Sequence, residues 1–160
     1  MNRDAPKPRL YFEDLTVGRR VTTASVRVDA EAIKDFAARF DPQPFHLDEA
    51  AAARSLFGGL VASGWHTAAL TMRLLVTSGL PIAGGIIGAG GEITWPRPTH
   101  PGDELTVVCE VIAAQPSRSR PERGMVTVRT ETQNQHGEVV QVMTARLVVP
   151  RRPATTSVTP

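Results

Sequence analysis

The stretch SGWHTAALTMRLLVTSG, residues 63–79, carries apolar side chains nearly all the way round a helix. Such a helix has no face to give to water and must be enclosed by the rest of the chain. Ser63 is placed to cap its start, and Gly79 followed by Pro81 marks its stop. The residues after it can do the enclosing. GGEITWPRP (90–98), ELTVVCEVIAAQP (104–116), GMVTVRTETQNQ (124–135) and EVVQVMTARLVVP (138–150) read as strands. Pro101-Gly102 and Gly137 mark turns, and the last two strands should form a hairpin. Ahead of the helix, RRVTTASVRV (19–28) reads as one more strand. The order is one strand, a helical block, then four strands. That segregation predicts an α+β fold, a curved antiparallel sheet wrapped around a central apolar helix, and argues against βαβ units.

The helical block opens at Asp29, a good N-cap, with Ile33, Phe36, Ala37 and Phe40 at helical spacing behind it. Pro42 ends this helix at or before Asp41, because a residue preceding proline is pushed out of the α region. A second short helix should begin near Asp48. Aromatic residues are only 5% of the chain, so the core must be aliphatic. The single cysteine, Cys109, excludes an intramolecular disulfide and sits in an apolar alternation. The net charge is +2 with scattered arginines, which points to a solvated surface and not to nucleic acid. No apolar run is long enough to cross a bilayer. MNRDAPKPRL lacks the apolar stretch of a signal peptide, so the expected compartment is the cytoplasm. Residues 1–10 and 151–160 read as disordered tails around a single domain, 11–150.

Chemistry concentrates in FDPQPFHLDE, residues 40–49. Its two prolines fix φ near −65° and remove two backbone donors, so the segment is expected to stay out of helix and sheet and to hold its side chains still. Two readings are open. Asp41 and His46 can converge on one water, one taking a proton while the other gives one elsewhere. Alternatively, Asp41 caps a helix end and His46 is a satisfied, half-buried imidazole.

Asp-Pro-Gln-Pro-Phe-His, followed by Leu47, Asp48 and an alanine-rich helix, resembles the hydratase motif of the MaoC-like dehydratase family, (R)-specific enoyl-CoA hydratases of hot-dog fold. YFEDLTVG (11–18), GGLVASGWHTAAL (58–70) and WPRPTHPGDEL (95–105) extend the resemblance along nearly the whole chain. Asp41, Pro44 and His46 match the motif at its spacing. Gln43 stands in place of the usual asparagine, and Phe40 where a small residue commonly precedes the aspartate. The resemblance implies syn hydration of a trans-2-enoyl-CoA by Asp41 and His46, in either division of roles. Gly64 matches the family's glycine at the start of the central helix, where free N–H groups can meet the thioester oxygen. Ser63 could contact substrate or serve only as the cap. Coenzyme A enters as part of the substrate. No separate cofactor is implied, since hydration changes no oxidation state. A homodimer or higher even oligomer is implied, with the active site at or near the interface.

His46, Asp48 and His66 can be drawn as a metal site, but no paired ligand spacing supports it. The glycines of GAGGEI (88–93) lack the context of a phosphate loop and suit a strand that bends tightly. Two rival functions stand beside the hydratase. A hot-dog thioesterase would commonly carry a carboxylate on or near the central helix, and 64–78 has none. A non-catalytic acyl-CoA-binding partner subunit would have no need of the Asp41/His46 pair.

Overall fold

A computed structural model describes residues 8–154. Its elements are β1 (Arg20–Arg27), α1 (Ala30–Phe40), α2 (Pro44–Leu47), α3 (Glu49–Ala53), α4 (Gly64–Leu74), β2 (Ile87–Thr94), β3 (Glu104–Pro116), β4 (Arg123–Gln133) and β5 (Val139–Pro150). The five strands form one sheet in the order β1-β3-β4-β5-β2, antiparallel throughout. This is the hot-dog arrangement: α4 is the filling and the sheet curls around it.

Side-chain alternation shows which face of the sheet meets the helix. Leu105, Val107, Cys109 and Val111 on β3 are buried, as are Val126 and Val128 on β4 and Leu147 and Val149 on β5. All but Leu105 pack on Leu74, Leu75, Leu80 and Ile82. A second cluster, with Val28, Ile33, Ala52, Leu60 and Val140, seats α1 and α3. Burial without a charged neighbour raises the Cys109 thiol to about 11, so it acts as a small apolar residue. No helix among the described residues is long and apolar enough to cross a membrane.

Local chemistry sets the element ends. Asp29 accepts from the Ala32 N–H at 2.7 Å and Asp48 from the Ala51 N–H at 2.6 Å, each capping the helix behind it. Beyond Leu74 the central helix loosens into a π-helical turn, Leu75–Gly79, closed by the Leu80 N–H on the Leu75 carbonyl at 2.7 Å. The Thr77 and Ser78 hydroxyls donate to the Arg73 and Leu74 carbonyls there, a habit of Ser and Thr that opens helix ends. The Ser78 hydroxyl also accepts from the Ala24 N–H in a bulge of β1.

Four expectations need correction. The central helix is not enclosed all round: Trp65 and Val76 are 59% and 57% exposed, because five strands cover only part of its girth. β2 begins at Ile87 and takes in the glycines; Gly90 has φ +125° and the register shifts between Gly88 and Gly91, so these residues do bend a strand. The segment after Asp41 does enter a helix, the single turn α2, since proline at a first helical position forfeits a donor that would have no partner anyway. The tails are tied down at their inner ends. Leu10 bridges to Ile82, while Arg151 and Arg152 bond Glu13 and Asp14. These bonds hold the exposed Glu13 carboxyl down at about 2. Residues 1–7 and 155–160 lie outside the described residues, and so does the rest of the tail expectation.

Candidate active site

α1 delivers Asp41. The helix stops at Phe40, and Asp41 takes the C-cap position with its N–H on the Ala37 carbonyl at 2.9 Å. Pro42 forbids a further turn, and Pro44 starts α2 at once. One turn later α2 presents His46. Its Nδ1 lies 2.7 Å from the Val61 carbonyl. A carbonyl can only accept, so Nδ1 carries a hydrogen, which leaves Nε2 as the nitrogen turned toward the carboxylate. That Nε2 faces Asp41 Oδ2 at 3.3 Å. The Phe45 ring meets the imidazole edge-on at 4.6 Å and helps fix its plane.

Both carboxylate oxygens of Asp41 accept hydrogen bonds. Ser63 Oγ donates to Oδ2 at 2.7 Å, and Gln43 Nε2 donates to Oδ1 at 2.7 Å. Partial burial pushes the carboxyl upward, but the bonds from Ser63 and Gln43 and the nearby His46 outweigh it and hold the group below its ordinary value. Asp41 is therefore an anion at neutral pH. The arrangement sets a fixed carboxylate beside an imidazole nitrogen, two groups able to pass a proton between them and a small molecule held in the cleft.

The pair opens into a cleft of about 450 Å³, whose lining includes Gly64, Trp65, Trp95 and Arg97. Gly64 is the first residue of α4, so its N–H has no partner within the helix, and the positive end of the helix dipole points the same way. A Cβ on Gly64 would lie 2.6 Å from the Trp95 ring. The space its missing side chain leaves is thus filled by an indole, while its amide still borders the cleft.

The structure brings Asp41, His46, Gln43, Ser63 and Gly64 together. Pro44 takes part through the backbone alone. Ser63 is fully buried; its hydroxyl proton goes to Asp41 and its oxygen accepts from the Trp65 N–H at 3.2 Å. It caps α4 and holds the carboxylate at the same time, which leaves it no contact for a substrate. His66 and Asp48 do not join His46: Asp48 caps α3, and the His66 ring stacks on Phe36. Among the described residues no group of three or more His, Cys, Asp or Glu is placed to hold a metal ion.

Sequence reasoning passed over Trp95 and Gln141. Trp95 Nε1 donates to Gln141 Oε1 at 3.0 Å across 46 positions of chain. The available signal was one polar residue on the inward face of an apolar strand, Gln141 in step with Met143, Ala145 and Leu147.

The family model for the MaoC like domain matches residues 13–135. The chain belongs to the MaoC-like domain family. A solved MaoC-like dehydratase from Rhodospirillum rubrum is 67% identical and superposes with a TM-score of 0.88, covering 90% of this chain and 99% of that one. The uncharacterized protein YdeM of Bacillus subtilis is 38% identical over 129 residues, 79% of this chain and 89% of the relative. A 3-hydroxybutyryl-CoA dehydratase of Methylorubrum extorquens is 33% identical over 111 residues, 69% of each chain. The family thus includes hydratases and dehydratases, and Asp41 and His46 lie in the segment that resembles the hydratase motif.

Proposed function

We propose that this MaoC-like protein adds water reversibly to trans-2-enoyl-CoA, giving (R)-3-hydroxyacyl-CoA. One observation carries the reading: an imidazole Nε2 and a hydrogen-bonded carboxylate oxygen 3.3 Å apart, in one cleft with the start of α4. A water molecule held by both groups would give a proton to His46 Nε2 as its oxygen bonds to C3 of the enoyl group. The electron pair of the double bond moves to C2 and the thioester oxygen, where the Gly64 N–H and the helix dipole receive the charge. C2 then takes a proton back from the pair, which ends as it began. Water and proton arrive from one side, so addition is syn; the resemblance of the motif to (R)-hydratases supplies the hand. In this scheme Ser63 and Gln43 position Asp41 and do not touch substrate.

The proposal extends to assembly and place. β2 lies at an edge of the sheet with almost its whole length open to water, Ile87 at 55% among it. An uncovered strand edge is a template for another strand. We take it as the seam of a homodimer, working in the cytoplasm without a metal or nicotinamide. Light scattering should then give twice the 17.2 kDa chain mass or a higher even multiple.

The deciding experiment follows loss of the enoyl absorbance of crotonyl-CoA with chelator-treated enzyme and passes the product to 3-hydroxyacyl-CoA dehydrogenases of each hand. Release of free thiol in place of hydration, formation of the (S) product, or dependence on added metal would overturn the reading.

A further inference from the structure

A second chamber lies on the other side of Trp65. It measures about 440 Å³ between α4 and the inner face of β2, β4 and β5, and Met72, Leu75, Ile86, Val128, Met143 and Leu147 line it. Trp65 borders both this chamber and the catalytic cleft. We propose that Trp65, braced by Trp95, is a partition between the two and restricts the substrate to short acyl groups. The inference rests on the acyl-thioester reading given above.

The placement of Trp65 makes it a wall. It follows Gly64 directly in the chain, and the Gly64 N–H is the donor assigned to the thioester oxygen. An acyl chain that leaves a carbonyl held there runs into the Trp65 side chain before it can reach the apolar chamber. A few carbons fit on the near side, beside Asp41 and His46. More carbons need the far side.

The bracing draws on several elements of the fold. Trp65 meets Trp95 edge-on, with ring centroids 5.4 Å apart and planes at 81°. Trp95 itself is clamped. Gly64 gives its ring room on one side, where any Cβ would intrude. Its Nε1–H is held by Gln141, whose side chain is fully buried. A buried amide is tolerated only when its own bonds are made. Gln141 Nε2 donates to Thr71 Oγ1 at 3.2 Å, and that hydroxyl also bonds Thr132 Oγ1 at 2.6 Å and the Thr67 carbonyl at 2.9 Å. A chain of polar groups thus crosses the core from β4 through α4 to β5 and ends on one indole. An apolar residue at position 141 would pack the same space without the chain but would leave Trp95 free to swing.

The test compares the wild-type protein with Trp65→Ala, which removes the wall, and Trp65→Phe, which keeps a ring. Trp65 is largely exposed, so neither change hollows the core. Crotonyl-, octenoyl- and dodecenoyl-CoA are assayed for hydration, and butyryl- and octanoyl-CoA for binding by calorimetry. The wild type should favour crotonyl- over octenoyl-CoA by about tenfold or more in kcat/KM, since the four added carbons meet the Trp65 ring and cannot be seated without a clash. Trp65→Ala should raise the octenoyl-to-crotonyl ratio by about tenfold or more, with Trp65→Phe in between. A wild type indifferent to chain length, or a Trp65→Ala profile parallel to the wild type, would overturn the partition. If no thioester is hydrated by any form, the hydratase reading fails, and calorimetry alone decides: octanoyl-CoA gaining on butyryl-CoA in Trp65→Ala upholds the partition. Failure of the wild type to bind either thioester removes both.

Discussion

His46 and His66 are nearly equal in burial, 5% and 6% exposed, and both stand close to the start of α4. Their surroundings make them different objects. His46 has a carbonyl on Nδ1 and a carboxylate before Nε2. His66 has an aromatic ring stacked on it at 4.7 Å and a buried Nδ1 with no hydrogen-bond partner. Burial pulls the His66 pKa down, and the distant Asp29 charge opposes this only in part. An imidazole that stays neutral and meets no proton acceptor is an apolar wedge with an unused nitrogen. On the proposed mechanism, what prepares a histidine for proton transfer is a fixed tautomer and a facing acid, not enclosure as such.

The largest effect expected tests that contrast directly. His46→Ala or Asp41→Asn should lower kcat for hydration by roughly 10²–10⁴-fold while circular dichroism and assembly stay unchanged. His66→Phe should stay close to wild type in the same assay. Equal losses at His46 and His66 would erase the distinction.

A smaller effect is expected at Ser63. Ser63→Ala removes a charge-assisted bond to Asp41, and kcat should fall by about tenfold to a hundredfold. The Asp41 carboxyl would move up toward its ordinary value, so the acid limb of the pH–rate profile should shift to higher pH. The lost helix cap should cost about 1 kcal/mol in denaturant unfolding. An unshifted acid limb would mean that Asp41 does not need its negative charge.

The smallest effect concerns stability and belongs to His66. Its folded-state pKa lies below the ordinary 6.5, so the unfolded chain binds the proton more readily. The stability tied to its neutral form is complete above 6.5 and drains away as pH falls through the folded-state value. Denaturant midpoints at about pH 7.5 and about pH 5.5 should therefore differ less in His66→Phe than in wild type. Removing an unpaired buried nitrogen should also raise the midpoint itself, by about 1 kcal/mol. A His66→Phe variant that keeps the full pH dependence would show that the loss arises elsewhere.

Much of this molecule is legible along the chain because the forces involved are local. Asp29 and Asp48 cap helices three residues away, Pro42 ends α1, and the alternation in β3 names its inward face. The Asp41 and His46 pairing was legible only because five positions of stiff chain join them and because the segment resembles a known motif. Where sequence reasoning failed, the deciding contact is distant. The Ser63 hydroxyl finds Asp41 across 22 positions, and Gln141 finds Thr71 across 70. No periodicity records such pairs. The π-helical turn after Leu74 escaped notice because Thr77 and Ser78 look like ordinary helix-end residues until one sees which carbonyls they take.

The two edges of the sheet carry unequal protection. β1 is broken at mid-strand between Thr22 and Ser25, its Ala24 donor is occupied by Ser78, and arginines stand at both ends. Bulges and charges of this kind make an edge unfit to zip onto another. β2 shifts register once as well, between Gly88 and Gly91, but Glu92 is its only charged residue and its pairing is regular from Gly91 to Thr94. A sheet open at both edges can go on recruiting copies into a filament. In the proposed homodimer, growth through the other edge closes on a single two-fold partner and stops, so the same bulge that seats Ser78 would set a ceiling on how far such a sheet can polymerise.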